Sequence, residues 1–218
     1  MLLAGATGGI GRALGAEAAR RGALLTLVAR NNETLNTLDI PGARVALDLR
    51  APEACTAAVN AAIEQHGRLD VVINAVGVVA FGNVDELSID TMEELFLTNT
   101  FLPIMLARAA LPALQPGGAI VNISGVIAET NLPGMAVYGA SKAAVRAFDQ
   151  ALAREARRRN MRVLDARPPH TETGLAQHPL TGIAPRMPQG LAPAHVAAII
   201  CDALEAGLSD LPSTAFAP

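Results

Sequence analysis

Leu2, Leu3 and Ala4 form a three-residue apolar run that breaks at Gly5-Ala6-Thr7-Gly8-Gly9-Ile10-Gly11, after which residues 13–21 carry a helical pattern. A strand that turns through glycines into a helix leaves the first N–H groups of that helix without partners. It also lets backbone approach a ligand closely, so the junction suits a phosphate, although strand-to-helix turns of this kind also occur with no ligand. The junction sets a pattern that the chain then repeats. Residues 23–29, 44–47, Leu69–Asn74, 118–124 and 161–167 read as strands, several of them continuous apolar runs, which implies strands covered on both faces. Helical patterns fall between them at Pro52–His66, at 86–114 with an interruption at Pro103, at 137–159 and at 193–206, and the tail at 208–218 offers a short seventh strand. Strand and helix alternating throughout predict an α/β fold, a doubly wound parallel sheet in three αβα layers, as one domain over 1–218. Residues 168–191, rich in Pro, Gly and His and without periodicity, are predicted to form a substrate loop or lid.

Composition narrows what such a sheet can serve. With 218 residues the chain suits a single large core, and 51% hydrophobic against 17% charged residues argues against disorder. Aromatic residues are 3% of the chain and Trp is absent, so stacking platforms for single-stranded nucleic acid are lacking. A net charge of −3 gives no general attraction to phosphate backbones or anionic membranes, so neither nucleic acid nor membrane is expected as a partner. Cys55 and Cys201 stand apart in helical segments, as buried thiols of a reducing compartment do. His66, His170, His178 and His195 have no close ligand spacing, so no metal is assigned. No apolar run reaches bilayer length, and the expected location is cytoplasmic.

The candidate for chemistry is Tyr138-Gly139-Ala140-Ser141-Lys142, where a phenol and an amine four residues apart share one helical face, although a pair at this spacing commonly just decorates a surface. A cation near a phenol favours the phenolate, so this pair is expected to bring Tyr138 into use as an acid/base near neutrality. Elsewhere, Asp48 and Asn74 close the third and fourth strands, at the sheet edge where open α/β folds bind ligands; capping a helix and closing a turn are their plain alternatives. Arg30 ends the second strand with no acid beside it. Together with Arg12 it favours a 2′-phosphate and hence NADP over NAD, the alternative being a solvated strand end. Asn99 lies in an apolar helical stretch and needs partners for its amide.

Taken in order, Gly5-x-x-x-Gly9-Ile10-Gly11, Asp48, Asn74-x-x-Gly77, Asn99 and Tyr138-x-x-x-Lys142 resemble the short-chain dehydrogenase/reductase family over nearly the whole chain. The resemblance implies a Rossmann-type sheet of order 3-2-1-4-5-6-7 and hydride transfer between a nicotinamide cofactor and a small carbonyl or secondary alcohol. NADP(H) is the expected cofactor, with NAD(H) possible. Tyr138 would be the general acid/base, and Lys142 would lower its pKa and hold the nicotinamide ribose. Asn99 would support a water beside Lys142. The implied cofactor contacts are Gly5, Thr7, Gly9, Ile10 and Gly11 at the first turn, then Arg30, Asp48, Leu49, Asn74, Ala75 and Gly77 along the sheet edge. Tyr138, Lys142, Pro168, Thr171 and Thr173 complete them. Family members commonly pair through the helices at 86–114 and 137–159, so a homodimer or homotetramer is expected.

The sequence departs from the family in two places that bear on chemistry. Ungapped alignment through Asn122-Ile123-Ser124-Gly125 puts Gly125 where the family has its substrate-facing serine, leaving Ser124 as catalytic only if the loop is rewound. Thr130 and His170 are other nearby donors. The family's Pro-Gly after the sixth strand is Pro168-Pro169 here, which removes a backbone donor. These departures motivate a second reading, a catalytically weak dinucleotide-binding sensor or partner-binding protein.

Overall fold

Successive residues of a strand project to opposite faces, and this chain supplies an aliphatic pair at each central strand: Leu2 and Leu3, Leu27 and Val28, Val72 and Ile73, Ile120 and Val121, Val163 and Leu164. A computed structural model describes residues 1–217 and shows what the pairs do. Strands β1 (Leu2–Ala4), β2 (Thr26–Ala29), β3 (Ala43–Ala46), β4 (Leu69–Asn74), β5 (Leu114–Ile123), β6 (Arg162–Ala166) and β7 (Asp210–Leu211) form one parallel sheet of order β3-β2-β1-β4-β5-β6-β7. Leu3, Leu27, Ile73, Val121 and Leu164 pack on one face with Leu14 of helix α1 (Gly9–Arg20), Leu35 of α2 (Asn32–Asn36) and Val196 and Ile200 of α7 (Pro193–Glu205). Leu2, Val28, Val72, Ile120 and Val163 pack on the other with Val59 of α3 (Pro52–His66), Leu106 of α5 (Leu102–Ala110) and Leu152 of α6 (Ala136–Arg157). Each fully buried Leu, Ile or Val adds on the order of 2 kcal/mol, and with so few aromatics the core is aliphatic. Cys55 and Cys201 are both buried and free, on opposite faces.

The order and layering are those expected from the sequence, while several boundaries differ. The strands predicted at 23–29 and 161–167 shorten to Thr26–Ala29 and Arg162–Ala166, whereas β5 starts four residues before the expected 118, at Leu114. Gly118 allows that, since a Cβ there would lie 2.7 Å from Asp70 O of the neighbouring strand. The helical region expected over 86–114 is α4 (Ile89–Phe96), a wide π-type turn Leu97–Phe101, and α5. Pro103 has no N–H to give the carbonyl of Asn99, four residues back, and Leu102 N instead bonds Leu97 O, so the helix widens rather than stops. No helix among the described residues is long and apolar enough to cross a membrane.

Register sets the site. Ala4, Asn74, Asn122, Asp165 and Asp210 are aligned neighbours on β1, β4, β5, β6 and β7, so one row at the carboxyl edge becomes polar where it leaves the aliphatic core.

Candidate active site

The first turn is built by exclusion. A Cβ on Gly11 would sit 2.0 Å from Gly5 O, and one on Gly5, whose φ is +78°, would sit 2.8 Å from the Ala75 carbonyl. Only glycine lets α1 begin this close to β1 and β4. Gly8 caps α1 without a side chain, and no acidic residue lies in the first turn, so its N–H groups face the crevice uncontested. A cradle of this kind suits the diphosphate of a dinucleotide. Thr173 covers it from the far side, with its Cβ 2.5 Å from where a Cβ on Gly9 would stand.

Two hollows run along the sheet edge from this turn, sharing Gly8, Ala75, Val76 and Gly77. The smaller, about 170 Å³, is lined by Gly5, Thr7, Arg30, Asp48 and Leu49. Asp48 forms an ion pair of 2.5 Å with Arg50, which holds its carboxyl below the ordinary range. Arg50 in turn bridges to Glu94 at 3.0 Å, a clamp that the sequence reading did not include. Arg30 is exposed and forms no ion pair among the described residues. Asn74 is buried and lines neither hollow; its Oδ1 accepts from Val76 N at 3.2 Å, the turn-closing role that was its plain alternative.

The larger hollow, about 490 Å³, takes in Gly9, Ile10, Ala75, Gly77, Ser124, Tyr138, Lys142, Pro168, Thr171 and Thr173. Its far end is apolar, with Val79, Phe81, Ile127, Leu132, Met135, Leu175 and Met187. The 168–191 segment reaches across it and is fastened by Leu180 N to Val79 O at 2.8 Å and Phe81 N to Thr181 O at 3.0 Å.

Tyr138 lies in the first turn of α6, with Lys142 buried one turn on. Lys142 Nζ donates to Ile123 O at 2.8 Å, and the Tyr138 hydroxyl makes no hydrogen bond among the described residues. The expected direction of the Tyr138 shift is reversed in the protein alone. Burial pushes the phenol up to about 12 and draws Lys142 down to about 8, with Asp165 partly offsetting the loss at Lys142. The phenol is held in its neutral form and the amine keeps its charge less firmly than an exposed lysine, because the apolar surroundings penalise either charge before a ligand arrives.

Asn99 acts on the backbone. Its Oδ1 accepts from Val78 N and its Nδ2 donates to Val78 O, both at 2.9 Å, so the amide ties the π-type turn to the segment leaving β4. Nδ2 also donates to Ser141 Oγ at 3.1 Å, and Ser141 Oγ donates to Tyr138 O at 2.8 Å, linking three segments around the phenol. Ser141 was missed as a positioning residue; its place one residue before Lys142, on the inner face of α6, was the available signal.

Ser124 does not present its hydroxyl to this hollow. Oγ donates to Asp165, and the residue is 1% exposed. Asp165 also binds Arg167, whose guanidinium reaches Glu129 and, at 2.8 Å, Asp210. Gly125 follows with φ +86° and ψ 164°, a conformation essentially restricted to glycine. Steric room is not the obstacle to a side chain there, since a Cβ would meet only Pro168 O, at 3.8 Å. Behind the strand, Asn122 Nδ2 donates to buried Asp149 at 2.7 Å, and burial raises that carboxyl well above its ordinary range.

Comparison with known proteins agrees with this geometry. The family model described as short chain dehydrogenase matches residues 1–182. A 3beta-hydroxysteroid dehydrogenase of Mediterraneibacter gnavus is 33% identical over 196 residues, covering 86% of this chain and 71% of that protein. A hydroxynaphthalene reductase of Aspergillus fumigatus is 31% identical over 161 residues, 70% of this chain and 59% of that one, so the chain spans about three fifths of that relative's length. A solved short-chain dehydrogenase from Sphingobium yanoikuyae in complex with NADPH superposes with a TM-score of 0.85 at 28% identity, covering 97% of this chain and 86% of that one.

Proposed function

Because the chain belongs to the short-chain dehydrogenase family, we propose that it is an NADP(H)-preferring oxidoreductase interconverting a carbonyl and a secondary alcohol, with Tyr138 as general acid/base. The observation that carries this reading is the unbonded phenol of Tyr138, set beside Lys142 in the hollow that begins at the glycine turn. Bound NADP(H) supplies or accepts the hydride. Tyr138 gives its proton to the carbonyl oxygen in reduction and takes one from the hydroxyl in oxidation. Lys142, in its charged form, stabilises the phenolate left behind and holds the nicotinamide ribose. The free donors at the start of α1 hold the diphosphate, and Thr171 and Thr173 close over it. Asn99 and Ser141 keep the first turn of α6 in place while the proton moves.

The preference for NADP(H) rests on Arg30, which stands at the end of β2 with no acid in its place, and on Arg12, whose Nε donates to Thr7 O at 2.9 Å. The NADPH complex of the Sphingobium relative is in keeping with it. Apolar residues at the far end of the larger hollow favour a substrate with an apolar body, as do relatives named for a hydroxysteroid and a hydroxynaphthalene. The 168–191 segment serves as the substrate lid. Exposed Ile89 and Phe101, on and just after α4, suit a homodimer or homotetramer formed through that region and α6.

Fluorescence titration with NADPH and NADH, followed by turnover on a panel of ketones, aldehydes and secondary alcohols, tests the reading. Expected are tighter NADPH binding, an advantage that falls about tenfold in Arg30→Ala as a charged contact is lost, and turnover that Tyr138→Phe abolishes. One observation favours a second reading, a dinucleotide-binding sensor: the Ser124 hydroxyl is committed to Asp165. Tight NADPH binding with no turnover on the whole panel would select it.

A further inference from the structure

The hollow that contains Tyr138 offers few uncommitted polar side chains. The Ser124 hydroxyl is given to Asp165, Lys142 Nζ donates to Ile123 O at 2.8 Å and Thr171 Oγ1 donates to Pro169 O at 2.9 Å. Thr173 Oγ1 accepts from Leu175 N at 3.3 Å. His170 differs. It follows Pro168-Pro169 where the chain leaves β6, lines the same hollow, and its Nδ1 makes no hydrogen bond among the described residues. One edge of its ring has neighbours. Nε2 lies 3.5 Å from Glu172 Oε1, an oxygen that accepts from Gly190 N at 2.7 Å. A Cβ on Gly190 would come within 2.8 Å of His170 Cδ2, so the Nε2–Cδ2 edge is backed by the 172–190 contact and Nδ1 lies on the opposite edge. The space a side chain at Gly125 would enter opens toward this segment, its nearest neighbour being Pro168 O at 3.8 Å.

We infer that His170, with Glu172 beside its Nε2, is the second polar side chain to contact the substrate's reacting oxygen, through Nδ1, in the role left open by the absence of a hydroxyl at Gly125. The inference rests on the oxidoreductase reading above. A hydroxyl can both give and accept a hydrogen bond, and an imidazole nitrogen can do either according to its protonation. Neutral, its Nδ1 accepts from an alcohol; protonated, it donates to a carbonyl oxygen. Glu172 is a positioning residue, acting on the substrate only through the ring.

The test is steady-state kinetics on the carbonyl and alcohol panel for wild type, His170→Leu, His170→Phe, His170→Gln and Tyr138→Phe, with the NADPH dissociation constant measured for each. Losing one oriented donor should lower kcat/KM about 100- to 1,000-fold in the two apolar variants. His170→Gln, which keeps a donor and an acceptor, should recover about tenfold of that loss, and NADPH binding should stay within about twofold throughout. Two apolar variants are included so that the misfolding of one leaves the other to decide. Apolar variants within about threefold of an active wild type, or glutamine no better than leucine, would overturn the inference and leave the oxidoreductase reading standing. A wild type inactive on the whole panel would remove both.

Discussion

Two glycine turns frame the crevice, and they need glycine for different reasons. At Gly9 and Gly11 the requirement is space, a Cβ on Gly11 standing 2.0 Å from a carbonyl oxygen, and at Gly5 crowding adds to a φ of +78°. At Gly125 there is room, and the requirement is conformational, φ +86° with ψ 164°. The first turn is held by backbone packed on backbone and presents free N–H groups. The second is held from outside by charges, with Ser124 on Asp165, and Arg167 spanning Asp165, Glu129 and Asp210. Cofactor geometry is thus set by a rigid turn common in kind to the fold. The second turn leans on a network of charges centred on buried Arg167 and Asp165, which takes the Ser124 hydroxyl out of the larger hollow.

Substitutions can break that comparison, starting with the largest effect. Gly11→Ala forces a backbone shift at the start of α1, and overpacking of this kind costs upwards of 3 kcal/mol. NADPH affinity measured by fluorescence should fall more than about 100-fold, or the variant should fail to fold. Arg167→Met leaves Asp165 buried and uncompensated, and chemical denaturation should show a loss of about 3–5 kcal/mol. Gly125→Ala adds only strain, about 1–3 kcal/mol, and should leave NADPH affinity within about threefold. If Gly125→Ala harmed NADPH binding as much as Gly11→Ala, the two turns would not be separate devices.

The effect confined to one pH window comes from Lys142. Its folded pKa of about 8 lies below the unfolded value, so the unfolded chain binds the extra proton between pH 8 and about 10.5 and stability should rise with pH across that window. Lys142→Met should flatten that part of the rise in thermal midpoint.

The difference between the turns also explains what the sequence could show. Continuous apolar runs and glycine spacing reflect local physics, so the sheet, its two aliphatic faces and the first turn were legible from residues such as Leu2, Leu3 and Gly11. The pairing of Tyr138 with Lys142 was legible because it is a helical spacing. The network of Ser124, Asp165, Arg167, Glu129 and Asp210 was not, since it joins residues up to 86 positions apart through contacts that only the fold creates. The role of Asn99 was half legible: an amide in an apolar helix needs partners, but nothing local named Val78 or Ser141. The sign of the Tyr138 shift was misread because sequence spacing reports the neighbouring amine and not the burial that disfavours both charges.

Tyr138 is the only tyrosine in a chain without tryptophan, so tyrosinate absorbance near 295 nm reports on it alone. Titrating the protein with and without saturating NADP+ measures whether cofactor and lysine together make this phenol a usable acid. The account predicts a midpoint near 12 for the protein alone and a shift of several units toward neutrality with NADP+ bound. A midpoint that NADP+ leaves unmoved would contradict it.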